Sequence, residues 1–221
     1  PVATAVVPIS AGRHIYKREP SFPIAVACDP AFNFVYEANI RYLHHLGEVT
    51  YFSPLADTSL PDAGFVYLPG GYPELYLAAL SANRQMLQSI RRYVESGGKL
   101  LAECGGMMYL CDEIRDKNGY VYPMAGVLHQ SATMENMKLR LGYRTLLYNE
   151  TRLKGHEFHY SRLVEQQNPL PSCAVAYTAK GVETDTPLYH YKNVWAGYTH
   201  LYWADPVGNE WFTKFVIDGN T

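Results

Sequence analysis

Charge is scarce in this sequence. Only 18% of its 221 residues are Asp, Glu, Lys or Arg, and 19 basic side chains face 21 acidic ones, for a formal charge of −2. No broad basic face is encoded, which argues against nucleic acid or anionic lipid as a partner and for a small neutral ligand. Long apolar runs are missing as well. No stretch approaches the ~20 residues that cross a bilayer, and the start carries no basic segment followed by an apolar one. The chain therefore reads as soluble and cytoplasmic, with no membrane partner. Its four cysteines, Cys28, Cys104, Cys111 and Cys173, form no CxxC pair and no evenly spaced framework of the disulfide or zinc kind. If Cys104 and Cys111 share a helix they are separated by roughly 10 Å, beyond disulfide reach. Three of the four are expected to be small buried hydrophobes. There is no repeat and no low-complexity tract.

At 48% hydrophobic residues, the chain is long enough for one well-buried core and short for two. The first residue is Pro1 rather than Met, which suggests a cut from something longer. Residues 1–20, punctuated by Pro, Gly and Ser, with a basic patch and no sustained period, read as a linker or docking tail. Residues 21–221 read as one domain, ordered from near Phe22. Pro23-Ile24-Ala25-Val26-Ala27-Cys28 is a nearly all-apolar run of the kind found in a parallel strand covered on both faces. A helical stripe follows between Asn33 and Leu46, with Gly47 as a left-handed stop. Val49–Phe52 and Phe65–Leu68 are further strands. Met86, Ile90, Tyr93 and Val94 mark an amphipathic helix ending at Gly97-Gly98, and Lys99–Glu103 is a fourth strand. Alternation at these lengths implies βαβ crossovers and an α/β, doubly wound, mostly parallel sheet. Leu141–Tyr148 and Ala174–Thr178 look like antiparallel additions, and a last helix is expected around Glu210–Ile217.

The segment richest in chemistry is Leu100-Leu101-Ala102-Glu103-Cys104-Gly105-Gly106-Met107-Met108. An apolar strand runs into an acid, a cysteine, two glycines and an apolar helix, the grammar of a nucleophile elbow with Cys in place of Ser. A helix N-terminus behind the sulfur favours thiolate over thiol, and the Gly105 N–H can point at a developing oxyanion. The competing reading is one more buried cysteine at the end of a core strand. A second glycine turn, Gly70-Gly71, also follows an apolar strand, and Gly71 can offer the second donor of an oxyanion hole; alternatively it is a tight surface turn.

A cysteine nucleophile needs a base, and eight histidines compete. His44 and His45 lie on the first helix, His14 sits in the tail, and His129 and His190 have no distinctive neighbours. Gly155-His156-Glu157-Phe158-His159-Tyr160 is not the HExxH metal motif, because its histidines are three apart in a β-like context. On a strand, Glu157 and His159 share a face and His156 looks the other way. Val194–Trp203 reads as a strand carrying His200 shortly before the last helix. A strand-end histidine can sit beside a strand-end cysteine, so His200 is the candidate base, against a satisfied structural histidine.

Taken together, these residues resemble the cobyrinate a,c-diamide synthase family, in its C-terminal class-I-like glutamine amidotransferase domain. The matching segments are Ala31-Phe32-Asn33-Phe34, Glu37-Ala38-Asn39, Phe52-Ser53-Pro54-Leu55, Gly70-Gly71-Tyr72-Pro73-Glu74, Ala102-Glu103-Cys104-Gly105-Gly106, Gly142-Tyr143, Gly155–Ser161 and Tyr198-Thr199-His200, in order from about residue 22 to 203. The resemblance implies a flavodoxin-like sheet with Cys104 as nucleophile and His200 as its activator. It also implies that glutamine is hydrolysed to ammonia, which amidates two peripheral carboxylates of a corrinoid in cobalamin biosynthesis. ATP and Mg²⁺ act at an N-terminal synthetase domain in such enzymes. The GxxxxGK[ST] phosphate loop is absent here, so no cofactor is expected in this fragment, and its partners are glutamine, that synthetase domain and, through it, the corrinoid.

There are two departures from wider patterns. Class-I glutaminases place a Glu two residues after the catalytic His, whereas that position is Tyr202 here, as in cobyrinate-type domains. The turn reads Pro69-Gly70-Gly71 where a third glycine is common. Glu157 or Asp205 is open as a substitute orienter of His200; Glu157 equally suits the α-ammonium of glutamine or a structural network. The rival readings are the glutaminase half of cobyric acid synthase or of a nickel-tetrapyrrole diamide synthase, a peptide-cleaving cysteine hydrolase of the same fold, and an inactive docking or ammonia-guiding module.

Overall fold

The computed structural model describes residues 22–218; the tail at residues 1–20, with His14, lies outside them. In chain order the first half runs β1 (Phe22–Ala27), α1 (Glu37–Leu46), β2 (Gly47–Phe52), β3 (Phe65–Leu68), α2 (Leu77–Ala82), α3 (Arg84–Glu95), β4 (Lys99–Glu103) and α4 (Gly105–Leu110). Short strands follow: β5 (Glu113–Arg115), β6 (Val121–Pro123) and β7 (Ser131–Thr133). Then come the long hairpin β8 (Arg140–Tyr148) and β9 (Thr151–His159), β10 (Arg162–Leu163), β11 (Val175–Thr178) and β12 (Glu183–Thr184). The chain closes with β13 (Leu188–Tyr191), β14 (Val194–Gly197), β15 (His200–Leu201) and α5 (Pro206–Thr213), which tightens into a π turn at Lys214–Asp218.

The central sheet has the order β13-β14-β4-β3-β1-β2. Every neighbouring pair is parallel except β13 with β14. Its parallel part is the flavodoxin-type order, in which sites form beyond the carboxyl ends of the strands. The strands read as apolar runs because both faces are covered. Ala25, Val66, Leu68, Leu100 and Ala102 pack on one side with Leu80, Ile90 and Val94 of α2 and α3 and Met107 of α4. Ile24, Val26, Phe65, Tyr67 and Leu101 point to the other face, against α1, α5 and a second sheet.

That second sheet, β12-β11-β8-β9-β15, is antiparallel throughout. The segments expected as antiparallel additions are therefore a separate five-stranded layer, and the addition to the central sheet is β13. Val194–Trp203, read as one strand, is divided between the sheets: β14 pairs with β4, and two residues later β15 pairs with β9. Gly47 is not a left-handed stop. Its φ is −170° and it opens β2; a Cβ there would run into the Phe22 carbonyl oxygen, so the glycine serves strand approach. Cys28 is exposed and Cys173 half-buried, so of the three cysteines expected inside only Cys111 is fully so. No helix among the described residues is long and apolar enough to cross a membrane.

Candidate active site

β4 delivers Cys104 to the first turn of α4 in the conformation φ 47°, ψ −105°, a region that non-glycine residues rarely occupy. The strain is held from both sides. The Cys104 N–H donates to the Gly197 carbonyl at 2.8 Å, and its own carbonyl accepts from Met108 N–H at 3.0 Å. A Cβ at Gly106 would strike the Leu68 carbonyl, so this helix can lie on β3 only with glycine there.

The turn after β3 comes up against the same elbow. Phe34 N–H donates to Gly70 O and Tyr72 N–H to Ala31 O, both at 3.0 Å, pinning the backbone on either side of Gly71. Gly105 and Gly71 are immediate neighbours: a Cβ on Gly105 would lie 3.2 Å from Gly71 N. Gly70 faces His200 so closely that a Cβ there would overlap the imidazole, 2.9 Å from Nδ1 and closer still to Cε1. Cys104, Gly71, His200, Phe34, Tyr72 and Phe158 line one small chamber. A second, on the other side of the sulfur, is bounded by Glu74, Met108, His159, Tyr160 and Ser161. Each holds about 10 Å³ of open space, room for about one water at most.

His200 is buried at 3% exposure. The Phe34 ring lies 4.4 Å from its centre, and β15 sets it opposite His156 of β9. Asn39, fully buried on α1, clamps the strand: its Nδ2 donates to Leu201 O at 2.8 Å, and its Oδ1 accepts from Trp203 N–H at 2.9 Å. Burial, reinforced by His156 and His159, pulls the His200 pKa down to about 3. Burial likewise pushes the Cys104 thiol up to about 12, with Glu74 adding to the rise and the Gly105 N–H opposing it. Burial thus works against the thiolate that the helix N-terminus is expected to favour. It disfavours the charged form of both groups, thiolate and imidazolium alike.

The remaining predicted residues fall elsewhere. Glu157 is buried, and its oxygens are taken by Arg144 Nε (2.6 Å), His159 Nε2 (2.9 Å) and Thr186 Oγ1 (3.0 and 3.1 Å). Burial opposes its charge, but these partners prevail and hold its pKa low. It belongs to a structural network that also fixes His159 through the Ser161 carbonyl. Asp205 caps α5 at Gly208 N–H (2.7 Å) and pairs with Lys154 (3.0 Å). Tyr202 is exposed beside Tyr36 and outside both chambers.

Glu103, the residue before Cys104, has no role assigned from its sequence context. It is 2% exposed, and its Oε2 lies 3.9 Å from His200 Nδ1, an atom with no hydrogen-bond partner among the described residues. Tyr67 Oη donates to Oε2 at 2.6 Å and Leu201 N–H to Oε1 at 3.0 Å. Burial raises its pKa to about 8 against these two donors. The available signal was an acid closing an otherwise apolar strand.

A family profile described as the CobB/CobQ-like glutamine amidotransferase domain matches residues 23–207. The hydrogenobyrinate a,c-diamide synthase of Pseudomonas aeruginosa is 40% identical over 185 residues, covering 81% of this chain and 41% of that protein. The cobyrinate a,c-diamide synthase of Fusobacterium nucleatum is 40% identical over 188 residues, with the same two coverages. The chain thus spans about two fifths of the length of these curated relatives. Among solved structures, PurLQS from Thermotoga maritima aligns with a TM-score of 0.56 at 16% identity, covering 90% of this chain and 96% of that one. A glutamine amidotransferase from the same organism aligns at 0.53 and 12%, covering 90% and 83%. At such identities these likenesses show the fold alone, a class-I glutamine amidotransferase fold.

Proposed function

The chain belongs to the CobB/CobQ-like glutamine amidotransferase domain family, and from that premise we propose that Cys104 and His200 hydrolyse glutamine to glutamate and ammonia. The observation that carries the reading is the shared chamber. The sulfur at a strained elbow, the one deeply buried imidazole of β15 and the Gly71 backbone line the same small space.

His200 takes the thiol proton as Sγ attacks the side-chain carboxamide carbon of glutamine, which suits two groups whose charged forms burial disfavours. The oxyanion that forms is held by the N–H groups of Gly71 and Gly105, which adjoin each other at the elbow. The imidazolium then returns its proton to the amide nitrogen, the C–N bond breaks and ammonia leaves. Water, deprotonated by His200, attacks the γ-glutamyl thioester, releasing glutamate and the thiol.

The released ammonia serves ATP-dependent a,c-diamidation of cobyrinic acid or a close corrinoid. The relatives named above support this, since their names specify that product and they are about twice as long as this chain. On this reading ATP, Mg²⁺ and the corrinoid bind in the part of the protein outside this chain. The small volume of the two chambers supports a glutaminase that is slow until the side chains around Cys104 rearrange for substrate.

In the full-length protein, Cys104→Ser is expected to abolish amidation driven by glutamine and to leave amidation driven by added ammonium salt unchanged. Glutamine-driven amidation that survives the substitution would overturn the assignment.

A further inference from the structure

Among the described residues, the carboxylates of Glu157 and Asp205 are held by partners other than His200. Glu157, on β9, has its oxygens occupied by Arg144, His159 and Thr186. Asp205 is held by the α5 N-terminus and Lys154. The other groups facing the imidazole are His156 and His159 of β9 and the ring of Phe34. None of these can receive an N–H from Nδ1 and also balance a charge on the ring.

Glu103 can do both. It sits on β4 with its side chain on the face away from α4, among Tyr67 and Trp203 and below β15. Its two oxygens are fixed by Tyr67 Oη from β3 and by the amide of Leu201, the residue after His200. Oε2 faces His200 Nδ1 at 3.9 Å, and that nitrogen is buried with no other partner among the described residues. A separation of this size is common in sites empty of substrate, where hydrogen bonds tighten only once the reacting groups are engaged.

We infer that Glu103 is the positioning residue for His200: its carboxylate receives Nδ1–H and so presents Nε2 to the sulfur. The inference rests on the glutaminase reading above. It replaces the acid expected two residues after His200, where Tyr202 stands, with an acid one residue before Cys104. Nucleophile and orienter then arrive on the same strand, and the base is held between them. The proton taken from sulfur is held on Nε2 until it passes to the departing amide nitrogen, and in that interval Glu103 balances the charge on the ring; no proton moves to the carboxylate.

The test uses the full-length protein, with glutamate release measured across pH for wild type, Glu103→Gln, Glu103→Asp and His200→Ala, and with thermal unfolding as a control. Glu103→Gln is expected to lower kcat roughly 100-fold with KM within threefold, and to remove the rise in kcat/KM toward pH 8 that is expected of the wild type. Glu103→Asp is expected to restore part of kcat and the pH rise. Ammonia-driven amidation should be unaffected. A kcat within threefold of wild type, or a loss that leaves the shape of the pH profile unmoved, would overturn the inference. Should Glu103→Gln fail to fold, Tyr67→Phe decides in the same way, with an expected loss of about fivefold and a blunted pH rise. His200→Ala separates the two readings. If it retains activity, the glutaminase assignment itself fails; if it is inactive while Glu103→Gln is not, only the positioning role fails.

Discussion

Replacing Gly70 by alanine adds one methyl group against the edge of His200. The backbone tolerates it, since Gly70 is not in the left-handed region. The space does not: the new Cβ would overlap His200 Cε1 and approach Nδ1 to 2.9 Å. Carbon atoms in contact rest at about 3.5–4.0 Å, so the ring has to retreat by roughly 1.5 Å. Phe34 blocks one exit and the Asn39 clamp holds the strand. Overpacking of this sort destabilises by about 1–3 kcal/mol, offset by about 0.4–1 kcal/mol from the stiffer unfolded chain. The protein should therefore fold. A 1 Å misplacement of a reacting group costs on the order of 100-fold in rate, so glutamine hydrolysis by Gly70→Ala is expected to fall at least that far, mainly in kcat. Glutamate release and ammonia-driven amidation would be measured side by side on the full-length protein. Glutamine hydrolysis within threefold of wild type, in a folded variant, would refute the claim that the bare Gly70 is what admits the imidazole.

Three other substitutions probe the surroundings. Asn39→Ala leaves Leu201 O and Trp203 N–H buried without partners, and urea unfolding should show a loss of about 2–4 kcal/mol. Glu157→Gln breaks a buried ion pair with Arg144 and should lower stability by about 3 kcal/mol; an unchanged midpoint would mean that the network contributes nothing. His200 is held neutral, with its pKa lowered to about 3. Its contribution to stability is thus fully present above about pH 6.5, the usual histidine value, and is lost as the pH falls toward 3. Relative to the wild type, His200→Asn should gain on the order of 2 kcal/mol between pH 7 and pH 4.5, read from unfolding at each pH. Parallel curves would contradict the burial argument.

The strand and helix alternation was legible because it rests on local signals. Apolar runs such as Phe65–Leu68 and Lys99–Glu103 lie next to glycine stops, and Asn83 caps α3 through Met86 N–H. The elbow was legible for the same reason: Glu103-Cys104-Gly105-Gly106 states its turn within four residues. The second sheet was not, because pairing β15 with β9 and β11 with β8 is decided between segments far apart in the chain. Nothing in the aromatic run Val194–Trp203 announces that Tyr198 and Thr199 carry the chain from one sheet to the other. The role proposed for Glu103 is not legible in the sequence, because it depends on Tyr67, 36 residues away, and Leu201, 98 away. The opposing influences on the Cys104 thiol were only half legible, because a helix N-terminus can be read from sequence whereas desolvation cannot.

Cys104 ends a strand of one sheet and His200 begins a strand of another, 96 residues further on. The two sheets must each form and then dock before sulfur and imidazole meet. During refolding, the rate at which a glutamine-analogue electrophile labels Cys104 should therefore lag behind the recovery of secondary structure and coincide with closure of the layer between them. The same juxtaposition that the proposed chemistry requires makes this cysteine a clock for the last step of assembly.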